Sequence, residues 1–287
     1  MKTLIIGSSG KISKVFKDIY SNKKKNIFTT SKKKLVKKDT IYFDITKSNI
    51  IPILKKKNIN KVIIFSAISN PEECKLKKKL SYNINVKYTK KLIKDLISLN
   101  VYFIFFSSEY VFNGLKGNYT EKSRINSKMI YGKHKIKIEN YIKSKKYKNC
   151  LVLRISKTFG TSINDGTFFS SYLKSYLVGK RNFKIATDQI FSPLYINDLL
   201  KIINLSLKIK LTGLYNVCGS STDTRINFVK NFFNLLKIKD VKLMKVPMKK
   251  FDNKIFYPLN ISMKNNKIKK KLKFKFTKIE NLKSKFV

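Results

Sequence analysis

Thr3-Leu4-Ile5-Ile6-Gly7-Ser8-Ser9-Gly10-Lys11-Ile12-Ser13 is the stretch whose reading decides the fold. A short apolar strand runs into a turn with two glycines three apart, and Ile12, Val15, Phe16 and Ile19 then recur at helical spacing. Strand, glycine turn and helix in that order give a glycine fingerprint its physical meaning. The first glycine permits the tight turn, and the second lets the backbone approach a pyrophosphate held at the helix amino terminus. Ser13 stands where a third glycine would bring helix and strand together, so a slightly loosened contact is expected there. The stretch predicts a dinucleotide-binding turn; a glycine turn without a ligand is the plain alternative.

Working outward, apolar segments recur at Ile27-Phe28, Ile41-Tyr42-Phe43, Val62 to Phe65, Val101 to Phe106 and Leu151 to Leu153. Helix-like stretches at 47–56, 75–98 and 133–145 lie between most of them. Strands alternating with helices imply an α/β fold with a parallel sheet covered on both faces. Ligands of such sheets bind beyond the carboxyl ends of the strands, where Gly7, Ala67 and Ser108 would lie.

Phe106-Ser107-Ser108-Glu109-Tyr110-Val111-Phe112-Asn113-Gly114 and Tyr131-Gly132-Lys133-His134-Lys135 carry the chemistry. Tyr131 and Lys135 are four apart and share one helix face. A nearby ammonium favours a phenolate and lowers the phenol's pKa. Ser108, at a strand end, can hydrogen-bond the same substrate oxygen. The pair alone reads as a surface helix with a half-buried tyrosine, because lysine is so abundant here; the glycine turn and the alternation shift that balance. His134, the one histidine, is expected to point away from the site.

Over nearly its whole length the sequence resembles the extended short-chain dehydrogenase/reductases. Within them it is most similar to the dTDP-4-dehydrorhamnose reductase-like, sugar-nucleotide-binding branch. Beyond the two segments above, the markers are Leu153-Arg154 before Phe159-Gly160, Asp188-Gln189, Ser192-Pro193, Asp198-Leu199 and Gly213-Leu214-Tyr215-Asn216. The resemblance implies a Rossmann-type doubly wound parallel sheet with a smaller carboxyl-terminal α/β substrate lobe. The expected division is an NAD(P)-binding domain over 1–160 and a sugar-nucleotide lobe over 161–287, with part of 186–220 returning to the first domain. It also implies that Tyr131 is the proton donor, that Lys135 contacts the nicotinamide ribose, and that Ser108 orients the carbonyl. Glu109 replaces the branch's aspartate as the helper of the tyrosine. Gly7, Gly10, Lys11 and Ile12 would surround the pyrophosphate, Asp44 and Ile45 the adenine, and Ala67 the ribose, while Asn85 matches a helix asparagine. Near the carboxyl terminus, Tyr257 precedes Pro258-Leu259-Asn260 where the branch often has arginine, and Lys264 stands near an expected aspartate.

Cofactor choice turns on the end of the second strand, which reads Thr29-Thr30-Ser31-Lys32-Lys33-Lys34 without a carboxylate. Hydroxyls followed by ammonium groups suit a 2′-phosphate, with Ser31 and Lys32 as its holders, so NADP (as NADPH) is preferred and NAD is the alternative.

The formal net charge is +48 over 287 residues, which ordinarily suggests nucleic acid. Arginine occurs only at Arg124, Arg154, Arg181 and Arg225, however, and the lysines are spread along the chain. Nucleic-acid readers favour arginine's planar fork. The charge reads as genome composition on a solvated face, so no specific nucleic-acid partner is expected. Cys74, Cys150 and Cys218 have neither metal nor disulfide spacing; no metal is expected, and a reducing cytoplasm suits them. No apolar run reaches membrane-spanning length. The expected activity is reduction of a 4-keto-6-deoxy nucleotide sugar for polysaccharide precursors. An epimerase or dehydratase, or a non-catalytic sugar-nucleotide-binding subunit, is the alternative, and a homodimer is a candidate assembly.

Overall fold

The computed structural model describes residues 2–20, 26–33, 39–251 and 255–282. The chain divides into two units: 1–107 with 129–153 and 206–214, and 108–128 with 154–205 and 215–287.

The first unit opens with β1 (Lys2–Ile6), α1 (Lys11–Tyr20), β2 (Ile27–Ser31) and β3 (Thr40–Tyr42). It continues through α2 (Ile51–Lys57), β4 (Ile59–Ile64), α3 (Pro71–Leu76), α4 (Lys78–Tyr82) and α5 (Thr89–Ser98). β5 (Tyr102–Ser108), α6 (Ile130–Ser144) and β6 (Cys150–Ile155) follow. With β11 (Gly213–Val217), these strands form a seven-stranded sheet in the order β11-β6-β5-β4-β1-β2-β3. The pairs β3–β2, β2–β1, β1–β4 and β4–β5 are parallel. The order turns back at β1 and β4, the kind of switch point at which right-handed crossovers put helices on opposite faces of a doubly wound sheet. β5 is buried along its whole length, which is why it reads as a continuous apolar run rather than an alternating one.

The helical stretch expected over 75–98 begins earlier, at Pro71. Asn70 caps it by accepting from the amides of Glu72 and Glu73, and Pro71 takes a first-turn position where no N–H is needed. It is also interrupted: the backbone leaves helical geometry at Lys77, and Asn83–Tyr88 form a π-helical turn. Residues 206–214 join this unit through two buried side chains. Lys61 Nζ donates to the Leu207 carbonyl, and the Tyr102 hydroxyl donates to the Leu211 carbonyl at 2.6 Å.

The second unit is built of small sheets under an aromatic core. β7 (Thr158–Phe159) pairs in parallel with β10 (Leu194–Tyr195), and β8 (Asn182–Ala186) with β13 (Lys242–Val246). β9 (Ile190–Phe191) pairs antiparallel with β12 (Asp223–Thr224). The helices are α7 (Phe168–Leu177), α8 (Ile196–Ile209), α9 (Arg225–Leu235) and α10 (Asn266–Leu272). Phe169 lies at the centre of the core, 4.2 Å from the Phe228 ring and 5.6 Å from that of Phe232. The grouping departs from the boundary expected at 160, because residues 108–128 pack on the Pro258–Lys264 segment. The Asn260 amide donates to the Gly114 carbonyl at 2.9 Å, and Tyr119 exchanges backbone bonds with Ser262 and Lys264 at 2.9 and 2.8 Å. Gly114 lies at φ +78°, and a Cβ on it would come within 2.2 Å of Pro258 Cβ.

Candidate functional site

β1 ends at Ile6, and Gly7 turns the chain at φ +85°; a Cβ there would meet the Ser66 amide nitrogen at 2.6 Å. The turn is tied from both sides. The Gly7 amide donates to Thr30 Oγ1 at 3.2 Å, and Ser8 Oγ donates to the Thr30 carbonyl at 2.6 Å. Ser13 Oγ bonds the Gly7 carbonyl at 2.7 Å and the Gly10 carbonyl at 2.8 Å. The expected loosening at Ser13 is therefore corrected: the residue is buried, and its hydroxyl braces the turn from the first turn of α1.

A cavity of about 620 Å³ opens over this turn. Of the residues expected to hold the cofactor, Gly7, Gly10, Ser31, Lys32, Ile45 and Ala67 line it. Ile12 and Asp44 are not among its lining residues, and the side chain of Lys11 and all of Lys34 lie outside the described residues. The Asp44 carboxylate turns onto its own loop, accepting from the Thr46 amide at 2.8 Å and hydroxyl at 2.7 Å. Partial burial pushes its pKa up, but those bonds and the charges of Lys32 and Lys47 outweigh this and hold it below the usual value. Sequence reasoning missed Lys17, which also lines the cavity; its helical position behind the glycines was the available signal. Among the described lining residues there are hydroxyls and ammonium groups but no carboxylate, a donor set that fits a phosphate-bearing dinucleotide.

α6 is not a surface helix. Its buried face carries Tyr131, His134, Lys135, Ile138, Glu139 and Ile142. Lys135 is 5 % exposed, and its Nζ donates to the Phe106 carbonyl at 2.7 Å and sits 5.4 Å from the Tyr131 ring centre. Burial lowers the Lys135 pKa to about 8, opposed by Cys74 and Glu139. One turn further on, Glu139 accepts a short hydrogen bond from Ser107. His134 is buried, with its ring edge towards Tyr82 and Nδ1 3.5 Å from Asn85 Nδ2. Burial and the charges of Lys135 and Lys137 lower its pKa to about 4, so it is neutral near pH 7. Asn85 sits in the π turn and grips Ile68 through both the amide, at 2.8 Å, and the carbonyl, at 2.9 Å. This fixes the turn that carries Ala67 into the cavity wall, and π turns are frequent at such places.

Ser108 and Glu109 fall in the second unit, whereas Tyr131 and Lys135 fall in the first. Ser108 Oγ accepts from the Tyr110 amide at 3.2 Å. Glu109 is 2 % exposed, and its Oε2 has no hydrogen-bond partner. Burial raises its pKa to about 7 against the opposing pull of Lys157 and Arg225. Several markers after residue 180 are structural braces. Asp198 accepts from the Thr277 amide and hydroxyl, Gln189 Nε2 donates to the Pro258 carbonyl, and Asn216 bonds Glu121 and the Tyr119 carbonyl. Asn113, read as the replacement of an aspartate, holds a turn by accepting from the Leu115 amide and the Tyr119 hydroxyl. The three cysteines are free and buried. No helix among the described residues is long and apolar enough to cross a membrane.

The family model for the RmlD substrate binding domain matches residues 1–286. A curated dTDP-4-dehydrorhamnose reductase of Aggregatibacter actinomycetemcomitans is 26% identical over 179 residues, 59% of this chain and 58% of that protein. The chain thus spans just over half the length of the curated relatives it matches. Among solved structures, a dTDP-4-dehydrorhamnose reductase from Bacillus anthracis str. Ames in complex with NADP superposes with a TM-score of 0.87 at 21% identity. That match covers 100% of this chain and 99% of the other. A dTDP-4-dehydrorhamnose reductase from Clostridium acetobutylicum ATCC 824 gives 0.78 at 23% identity, covering 93% and 91%. At these identities the solved structures show a shared fold.

Proposed function

The chain belongs to the RmlD substrate binding domain family, and from that premise we propose that it reduces the 4-keto group of a nucleotide-linked 6-deoxy sugar with NADPH, supplying a polysaccharide precursor in the cytoplasm. The observation that carries this reading is the buried face of α6, where the Lys135 ammonium is anchored on the Phe106 carbonyl beside the Tyr131 ring.

Reduction of a ketone places negative charge on its oxygen, and groups already aimed at that oxygen stabilise the transition state more than the ground state. Tyr131 delivers the proton as general acid, a step worth roughly 100- to 10,000-fold. Lys135 does not touch the substrate; its charge adjusts the phenol and, in this reading, it also meets the nicotinamide ribose. Ser108 is assigned a hydrogen bond to the carbonyl, and Glu109 a supporting role beside it. The reduced nicotinamide, when bound, supplies the hydride. Gly7, Gly10 and the start of α1 hold the diphosphate, Ala67 the ribose and Ile45 the adenine side. Ser31 and Lys32 take the 2′-phosphate.

The test uses the purified full chain with NADPH and a dTDP-linked 4-keto-6-deoxy sugar, following the absorbance of reduced nicotinamide together with the sugar product. One NADPH consumed per alcohol formed is the expected result. Isomer formation without net consumption would make the protein an epimerase. Binding of both ligands without turnover would make it a binding subunit. Titrating NADPH and NADH at two salt concentrations checks the cofactor: NADPH should bind more tightly, with a gap that narrows as salt screens Lys32.

A further inference from the structure

Phe168 opens α7, and two cations rest on its ring. Lys157 Nζ lies 4.2 Å from the ring centre, and the guanidinium carbon of Arg225 lies 4.7 Å from it. Both side chains are half-buried. Immediately before Phe168, Thr167 occupies the cap position of this ten-residue helix but makes no side-chain cap bond. Thr167 is 6 % exposed, and its Oγ1 has no partner. Glu109, coupled by charge to both cations, is the other member of the group, with its buried Oε2 equally unpartnered. The nearby Asp165 does not complete the set. Its Oδ1 takes the Thr167 amide at 2.8 Å and its Oδ2 takes the Ser162 amide at 3.3 Å.

Buried polar atoms without partners are rare in folded proteins because desolvation without a new bond is costly. Here a hydroxyl and a carboxyl oxygen share that condition, and two half-buried cations that interact by charge with the carboxyl rest on the ring that opens the helix, where unpaired amides and the helix dipole already favour negative charge. One ligand chemistry satisfies all four. An oxyanion accepts from Arg225, Lys157 and Thr167, and a neighbouring hydroxyl donates to Glu109 Oε2. We propose that this cluster is a binding subsite for an oxyanion carried on a hydroxylated ring, that is, a sugar phosphate or a sugar carboxylate. The proposal rests on the reductase reading only in taking that ring to be the sugar of the substrate, since Glu109 directly follows Ser108 in the chain.

The test is calorimetric titration of the full chain with glucose 1-phosphate, glucuronate, glucose and sulfate. Wild type is compared with Arg225→Gln, with Thr167→Val and with Lys269→Gln, an exposed α10 lysine that controls for lost charge. At least one sugar anion should bind more tightly than glucose or sulfate. Its affinity should fall at least about tenfold in Arg225→Gln, as expected for one lost charge-assisted bond, and should fall in Thr167→Val but not in Lys269→Gln. Binding of the phosphate alone locates the anion on the glycosyl phosphate, and binding of the carboxylate alone makes the sugar acidic. Equal affinities in Arg225→Gln and Lys269→Gln, or sulfate binding as tight as either sugar anion, would overturn the subsite and leave only the general positive field of the chain. NADPH consumption with the keto-sugar nucleotide is measured separately. Turnover by a protein whose sugar-anion binding ignores Arg225 sinks the subsite alone. Arg225-dependent binding without turnover sinks the reductase reading alone.

Discussion

The glycine turn of the first unit and the Phe168 cluster of the second treat their buried polar groups in opposite ways. Around Gly7 the hydroxyls of Ser8, Ser13 and Thr30 are all engaged with backbone, so the loop is rigid before any ligand arrives. Around Phe168 the buried Oγ1 of Thr167 and Oε2 of Glu109 are left without partners, beside the Lys157 and Arg225 cations on the ring. A braced loop favours binding by reducing the ordering cost, whereas an unsatisfied cluster favours it by offering bonds the protein cannot make alone. Removing a group should therefore cost stability in the first region and ligand binding in the second.

The sharpest separation of chemistry from structure is Tyr131→Phe. It deletes one oxygen and keeps the buried ring, so turnover should fall roughly 100- to 10,000-fold while NADPH affinity and thermal midpoint stay close to wild type. A Phe variant with near-full turnover would remove Tyr131 from its assigned role. Next in size is Gly7→Ala, where positive φ and the 2.6 Å approach to the Ser66 amide leave no room for a methyl group. A loss of about 2–4 kcal/mol in urea unfolding is expected, with NADPH binding lost alongside. An unchanged midpoint would show that the turn is not braced.

The unsatisfied region has its own signature, in pH. Burial raises the Glu109 carboxyl from 4.5 to about 7. Between those values the folded chain keeps a proton that the unfolded chain has released. This contribution is fully present below about 4.5 and is lost as pH rises through about 7. Lys157 acts in the other direction, because burial first, and Arg225 second, lower it from 10.5 to about 7. There the unfolded chain holds the extra proton, and stability recovers as pH rises from about 7 towards 10.5. Glu109→Gln should flatten the acid side of the stability profile by on the order of 1 kcal/mol. Thermal melts across pH with the same slope in both proteins would show that Glu109 is satisfied after all. The smallest effects come from a matched pair of hydroxyl deletions. Ser13→Ala should cost about 1 kcal/mol, since it removes bonds to the Gly7 and Gly10 carbonyls. Thr167→Val should be neutral or slightly stabilising, because no bond is lost. Equal losses in chemical denaturation would erase the contrast between the two regions.

Much of the first unit was legible because its signals are local. Thr3 to Ser13 announced strand, turn and helix, and the apolar runs located β2, β3, β4, β5 and β6 near their observed positions. Tyr131 and Lys135 were found by their spacing of four, which a helix turns into proximity. The π turn at Asn83–Tyr88 was not legible, because no residue type marks it; it arises where Asn85 reaches Ile68 across the fold. Nor could sequence tell that Asp44 would spend its carboxylate on Thr46, or that Gln189, Asp198 and Asn216 would act as braces.

By itself, then, the sequence determined the alternating strands and helices, the glycine turn and the Tyr131–Lys135 pair, because each depends on spacings of a few residues. Tertiary structure alone decided which polar groups would be satisfied. Ser13 finds carbonyls six and three residues away, whereas Glu109 and Arg225 come together across more than a hundred residues, and Glu109 Oε2 and Thr167 Oγ1 are left without partners. Whether a buried group finds a partner depends on long-range packing, and no local spacing encodes that.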